Sequence, residues 1–247
     1  MMLRRAPSLT DQAKIHIKEM IVNGDFPDGR IPAEVELAEA LGVSRTTVRD
    51  ALSRLEMEGT ISRRQGAGTF VNNPVLQIRS RLEEIWGYAA MLEAHGFTPS
   101  TRLVEVSETM AGADAVDMAM ADELGLQVDD PVVSIKKLFL ENDVPVILAA
   151  NVIPARLLVE MHGRQDLTLP VYEFLERFAR QRLAYYVTDI VPLVATGEIA
   201  NLLQIEPGTP LVSFDETGYN DLNEPIIKAH SYFRDDLLRL RLLRRRV

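Results

Sequence analysis

The chain has no cysteine. That excludes disulfide bridges, thiolate catalysis and cysteine-based zinc sites. Its four histidines, His16, His95, His162 and His230, are scattered and lack the spacing of metal ligands. No apolar run reaches the ~18 residues of a membrane-spanning helix. The start, MMLRRAPSLTDQ, carries two arginines but no apolar stretch of the kind a secretion signal needs. A cytoplasmic protein without metal or cofactor is expected. No GxSxG elbow, phosphate loop or GxGxxG fingerprint occurs, so no enzymatic machinery announces itself. Low-complexity tracts are missing too, and the hydrophobic fraction of 47% supports real cores. At 247 residues the chain has room for two domains of ordinary size.

The net charge of -9 is unevenly spread. Residues 1–73 hold 10 basic and 10 acidic side chains, and the remainder holds 17 and 26. The first part is therefore neutral overall, yet Arg45, Arg49, Arg54, Arg63 and Arg64 fall within twenty residues. Such a local basic face is what nucleic acid requires, whatever the charge of the whole chain.

Apolar spacing predicts a helix over 9–23, ended by Gly24, and a second over 33–41, ended by Gly42. Ser44 then caps a third helix, in which Val48, Ala51, Leu52 and Leu55 recur at helical spacing up to Gly59. Ile61–Arg64 and Thr69–Val71 read as short strands around the tip Gln65-Gly66-Ala67-Gly68. This order is a winged helix-turn-helix. The third helix opens with Ser44, Arg45, Thr46 and Thr47, with Arg49 one turn beyond Arg45. A helix start offers free N–H groups and positive dipole density to phosphate, and each arginine can read guanine or clamp a phosphate. Arg63 and Arg64 add charge at the wing base, and Gly66 and Gly68 let the tip approach the DNA backbone or minor groove.

Asn72-Asn73-Pro74 opens a linker expected over 74–79, before a second domain over 80–247. Ile78, Leu82, Ile85, Ala89 and Leu92 predict one helix ending at Gly96, which packs on its own domain or bridges domains or subunits. Strands are expected at Arg102–Thr109, Val132–Glu141, Pro145–Ile153, Tyr185–Val194, Leu211–Gly218 and Pro225–Phe233, and helices at Ala113–Leu124, Val171–Arg180 and Thr196–Leu203. Ala121, Leu124, Leu126, Pro131 and Val132 share their spacing with Ala200, Leu203, Ile205, Pro210 and Leu211. Two helix-plus-hairpin units building one antiparallel sheet would explain that repeat. The tail LLRLRLLRRRV reads as a packed terminal segment with a solvated edge, or as one that binds anions or DNA.

The stretches VELAEALGVSRTTVRDALSRLEMEG and RRQGAGTFV resemble the winged helix-turn-helix of the GntR family of bacterial transcription regulators. The resemblance implies DNA contacts from Ser44, Arg45, Thr46, Thr47 and Arg49 through the helix, and from Gln65, Gly66, Gly68 and the adjoining Thr69 through the wing. Two positions depart from the family's PSERELA pattern: Ala33 stands in place of a capping serine, and Val35 in place of an arginine that often touches DNA. Residues 80–240 resemble the UTRA effector domain of the HutC-type subfamily, through ENDVPVILAANVIP, LPVYEFLE, IEPGTPL and NEPIIKAHSYFRDD. That implies an α+β protein whose second domain is a chorismate-lyase-like antiparallel sheet with helices. It also implies a small-molecule effector, and a homodimer on a palindromic operator in double-stranded DNA.

Candidate effector contacts are Lys136 or Lys137, either as an anion's partner or as a solvated lysine, together with Thr168, Tyr172, Asn151, His230 and Tyr232. Ala149 and Ile227 stand where the subfamily often has glutamate, which argues against assuming an amino-sugar phosphate. The expected function is an effector-released repressor. The alternatives are a lyase-like enzyme tethered to DNA and a constitutive DNA binder whose second domain only dimerises.

Overall fold

A computed structural model describes residues 8–76, 78, 82, 84–113 and 118–244. The chain divides into two compact units, Met1–Arg79 and Ser80–Val247.

In the first unit, Ser8 caps α1 (Leu9–Asn23) by accepting from the Asp11 N–H. Ala13, Ile17 and Ile21 form the buried stripe of α1. The next helix, α2 (Glu34–Leu41), begins at Ala33, which has no side chain to cap it. The Glu36 carboxylate accepts from the Ala33 N–H at 2.9 Å, supplying half of a capping box. Gly42, at φ 65°, ends α2 in the left-handed conformation that turns the chain into α3 (Arg45–Met57). Val48, Ala51, Leu52 and Leu55 of α3 meet the stripe of α1 and Leu37 and Ala38 of α2 in one core. The wing strands β2 (Ile61–Arg64) and β3 (Gly68–Val71) pair antiparallel, and β1 (Arg30–Ile31) pairs with the other edge of β3. At two residues, β1 is too short to show any alternation in the sequence. A single helical turn, α4 (Asn73–Leu76), follows, with Val75 buried.

The second unit is built on a six-stranded antiparallel sheet. Its strands are β4 (Pro99–Met110), β5 (Pro131–Glu141), β6 (Val144–Pro154), β7 (Leu183–Val194), β8 (Pro210–Asn220) and β9 (Pro225–Phe233), in the order β4-β5-β6-β9-β8-β7. The expected repeat is present and extends to a further strand on each side. Strand, helix and hairpin occur as β4–α6–β5–β6, with α6 at Met118–Glu123, and again as β7–α8–β8–β9, with α8 at Gly197–Leu203. Backbone details repeat as well. Leu126 donates to Ala121 as Ile205 does to Ala200, and Asp129 donates to Ala111 as Gly208 does to Ala195. The two halves meet along the β6–β9 ladder.

The repeat helices cover one face of this sheet. Ala121 of α6 and Leu124 just beyond it pack with Val132 and Val152, and Ala200 and Leu203 of α8 pack with Leu138, Leu148 and Leu211. The other face receives α5 (Tyr88–Ala94) and α7 (Val171–Phe174), the latter widening into a π-helical turn at Leu175–Ala179.

Three expectations need correction. The helix predicted from Ile78 to Gly96 is only α5, and Ile78, Leu82 and Ile85 lie outside it; residues 77, 79–81 and 83 are outside the described residues. A Cβ at Gly87 would sit 3.3 Å from the Tyr172 hydroxyl and 3.5 Å from Pro170, and the chain turns helical only beyond this close approach. Leu82 and Trp86 owe their apolar character to packing on the sheet, not to a helical stripe. The helix expected over Ala113–Leu124 is described as Met118–Glu123, residues 114–117 being outside the described residues. The helix expected to reach Arg180 ends one residue earlier, with Arg180 itself left-handed at φ 52°. Of the tail, Leu238 is buried, with Leu237 and Leu240 packed beside it. No described helix is long and apolar enough to cross a membrane.

Candidate DNA-reading head and effector cavity

The start of α3 is built by its own hydroxyls. Ser44 Oγ accepts from the Thr47 N–H at 3.1 Å, and the two side-chain hydroxyls share a hydrogen bond of 2.8 Å. Both hydroxyls are thus engaged in capping, and Arg45 and Thr46 project into solvent beside them. Arg49, one turn on, is exposed too, but it is held. Its Nε and one terminal nitrogen donate to Glu34 Oε2 at 3.1 and 3.0 Å, bringing a carboxylate from α2 onto the reading face. Val35 beside it is an exposed apolar side chain.

The wing arginines differ in their attachments. Arg63 bridges to α3: its guanidinium donates to the Arg49 carbonyl and to Ser53 Oγ, both at 3.3 Å, and lies 3.5 Å from Glu56. Arg64 lies over the Phe70 ring at 4.5 Å, a cation–π contact that leaves its polar edge outward. Gln65, Gly66 and Gly68 form the exposed tip, with φ of 74° at Gly66 and 116° at Gly68. Thr69 is half-buried and lies in register with Arg63 on one side and Ile31 on the other.

The second unit contains a cavity of about 680 Å³ between the sheet and the segments of α5 and α7. Its floor is a set of same-face sheet residues: Lys137 and Phe139 on β5, Ala149 and Asn151 on β6, Ala229 on β9, Phe214 and Glu216 on β8, and Tyr186 and Thr188 on β7. Trp86, Tyr88 and Tyr172 close it from above. Of the candidate effector contacts, the fold brings Lys137, Asn151 and Tyr172 to this cavity. It does not bring Lys136, His230, Tyr232 or Thr168 there. Lys136 points to the opposite face, paired with Glu198 at 2.7 Å and Glu105 at 3.3 Å. His230 shares that face and bonds Asp215 at 2.9 Å, and Tyr232 packs beside α8. The Thr168 hydroxyl donates to the Gln165 carbonyl at 2.8 Å, closing a local turn. Strand alternation decides all three sheet positions, because adjacent residues face opposite ways.

Electrostatically the cavity is divided. Burial pushes the Lys137 ammonium down to about 8, and among the described residues its one partner is the Leu169 carbonyl at 2.8 Å. Burial raises the Glu216 carboxyl above its ordinary range, although Thr188 donates to it at 2.6 Å. Burial also raises Tyr88 and Tyr186, with Glu216 adding to both, so both remain neutral phenols. Glu216, Thr188, Tyr88 and Tyr186 did not stand out in the sequence. The available signal was the repeat, which places Glu216 at the position equivalent to Lys137.

On the opposite face lies a polar network around the buried Lys228. Lys228 is paired with both Glu123 and Asp215, and Thr217 donates to Glu123 at 2.5 Å. This network ties α6 to β8 and β9.

Comparison with known proteins agrees with this geometry. Residues 9–71 match the family of bacterial regulatory proteins described as the gntR family, and residues 94–239 match the UTRA domain. The HTH-type transcriptional repressor NagR of Bacillus subtilis is 30% identical over 221 residues, which cover 89% of this chain and 88% of that protein. The histidine utilization repressor of Pseudomonas putida is 32% identical over 200 residues, covering 78% of this chain and 77% of that one. The crystal structure of PhnF from Mycobacterium smegmatis superposes with a TM-score of 0.60 at 26% identity, over 94% of this chain and 99% of PhnF. The chain belongs to the gntR family of bacterial regulatory proteins and carries a UTRA domain as its second unit.

Proposed function

We propose that the chain is a transcriptional repressor that binds operator DNA through the start of α3 and the wing, and is released when a small metabolite enters the UTRA cavity. The observation that carries this reading is the pairing, in one chain, of a reading helix that exposes Arg45 and Arg49 with a cavity floored by buried polar side chains. Arg45 and Arg49 read bases or clamp phosphate; Thr46, Arg64, Gln65, Gly66, Gly68 and Thr69 fix the register; Arg63 positions the wing. The chain acts by binding and not by turnover, and it works in the cytoplasm. The effector changes operator affinity only to the extent that it binds the two states unequally.

The functional unit is a homodimer on a palindromic site. Support for a second copy comes from β7, an edge strand with exposed apolar side chains on both faces: Val187 and Val191 on one, Ile190 and Val194 on the other. An edge of this composition invites association unless it is covered. Operator binding by the full chain, measured with and without metabolite mixtures, tests the reading. Affinity that no metabolite mixture alters would leave only a constitutive DNA binder.

A further inference from the structure

The effector cavity straddles the line relating the two repeats. The 79-residue offset that carries Ala121 to Ala200 and Val132 to Leu211 also carries Lys137 to Glu216. Strand register agrees: Lys137 is paired with Ala149, and Glu216 with Ala229, the two alanines occupying equivalent positions in their hairpins. Equivalent places in the two halves thus present opposite charges to one cavity.

Among the described residues, the cation side has a carbonyl partner but lacks a counter-charge. Lys137 is 3% exposed, and among the described residues no carboxylate pairs with it. Asn151, 5% exposed on the same floor, makes no side-chain hydrogen bond among the described residues. The Trp86 Nε1 in the cavity wall is also buried without a partner among the described residues. Buried polar groups are normally satisfied, and an uncompensated buried cation is costlier still. On the other side Glu216, 8% exposed, has hydroxyl partners in Thr188 and Tyr88 but no cation paired with it among the described residues, and its two oxygens keep further acceptor capacity. Asn151, Ala229 and Glu216 form one cross-strand row, which sets the outer two Cα atoms about 10 Å apart. Lys137 lies one row further along and about 16 Å from Glu216, before side chains reach inward. Ala149 and Ala229 keep the floor between them low, and Phe139 and Phe214 flank it.

We propose that the effector is a small zwitterion with a flat body, its anionic group set against Lys137 and Asn151 and its amine or ring N–H against Glu216. This rests on the reading of the cavity as the effector site. A ligand carrying one charge would satisfy one half and leave the other half's buried group unmatched. The more exposed Glu84 at the rim adds negative charge and does not complete the Lys137 side.

The test uses the full chain and three matched probes: 4-(aminomethyl)benzoate, 4-methylbenzoate and 4-methylbenzylamine, titrated by calorimetry. The zwitterion is expected to bind roughly ten- to a hundred-fold more tightly than either single-ended probe. Lys137→Met should erase its advantage over the amine, and Glu216→Gln its advantage over the carboxylate. Cavity-filling Ala229→Trp, or the smaller Ala149→Leu, should block all binding. If a single-ended probe binds as tightly as the zwitterion and the filling variants abolish it, the cavity reading stands and the zwitterion proposal falls. If no probe binds, or binding survives both filling variants, the zwitterion proposal falls and a metabolite-mixture screen on the same variants decides the cavity reading separately.

Discussion

Glu34 of α2 grips Arg49 of α3 with two hydrogen bonds of 3.0 and 3.1 Å, on the face that is proposed to meet DNA. The Glu34 carboxylate raises the affinity of Arg49 for its proton, but both side chains are partly solvated, so the pair adds little to stability. Its importance is electrostatic, since it places a negative charge where phosphates would approach. Glu34→Gln should tighten binding to random duplex more than to operator, narrowing the ratio between them, with a Tm change of no more than a few degrees. Unchanged non-specific affinity in a salt titration would show that Glu34 does not face the phosphates.

Arg45→Ala and Arg49→Ala should each weaken operator binding by about 1–3 kcal/mol, with the folded state intact. Arg63→Ala should behave differently. Its guanidinium bridges the wing to α3, so this variant should lose about 1 kcal/mol of stability along with affinity. Urea unfolding beside gel-shift titration separates the two classes. Equal stability of all three variants would move Arg63 into the DNA-contacting group.

Lys137→Met should stabilise the unliganded protein by on the order of 1–3 kcal/mol at pH 7. Folding brings the ammonium from its ordinary 10.5 down to about 8, so the folded state binds its proton less well than the unfolded state does. Wild-type stability therefore rises as pH climbs from about 8 towards 10.5, and the advantage of the variant should shrink over that window. Denaturation at pH 7 and pH 10 checks both the sign and the window.

Lys228→Met should cost about 1–3 kcal/mol, less than a fully buried broken pair because Glu123 and Asp215 retain solvent. Lys228 and then Thr217 hold the Glu123 carboxyl below its ordinary range. Burial alone would raise Asp215, but Lys228 and His230 outweigh it and leave it lowered. Depressed carboxyls stabilise the fold above their unfolded values, and that contribution is lost as pH falls through the folded ones. The wild type should thus lose Tm steadily on acidification below about pH 4, and the variant should lose less. Parallel acid profiles would remove the network from the pH response.

Val187→Glu combined with Ile190→Glu places a charge on each face of β7. Light scattering should then report a monomer whose operator affinity has collapsed. A dimer of undiminished mass would put the interface elsewhere on the UTRA unit.

The reading head was legible because one residue after another carries its own local signal. Ser44 caps α3, Gly42 turns left-handed before it, and Val48, Ala51, Leu52 and Leu55 keep a helical period facing a single core. The repeat was legible for a similar reason, its alanine, leucine and proline positions being packing and turn sites. The cavity was not. Strand β5 is buried on both faces over most of its length, so its apolar pattern shows no alternation to tell Lys136 from Lys137. The choice is made by α5, α7 and α8, which come from distant parts of the chain. Helix period misled between Ile78 and Leu92, where Leu82 and Trp86 pack on the sheet from outside any described helix, beside Ala89 and Leu92 of α5.

Six residue pairs join β6 to β9, the shortest ladder in the large sheet. On one face the helices brace this narrow seam, α8 packing on Leu138 and Leu148 and α6 tied to Lys228 of β9, while the cavity spans it on the other. A molecule anchored at Lys137 on one side and Glu216 on the other crosses the seam as a rivet crosses a joint. Its binding energy is then spent on fixing one interstrand angle, which is how a few polar contacts can set the posture of an entire domain. Slower amide exchange from Ile147 to Val152 on ligand addition would be its signature.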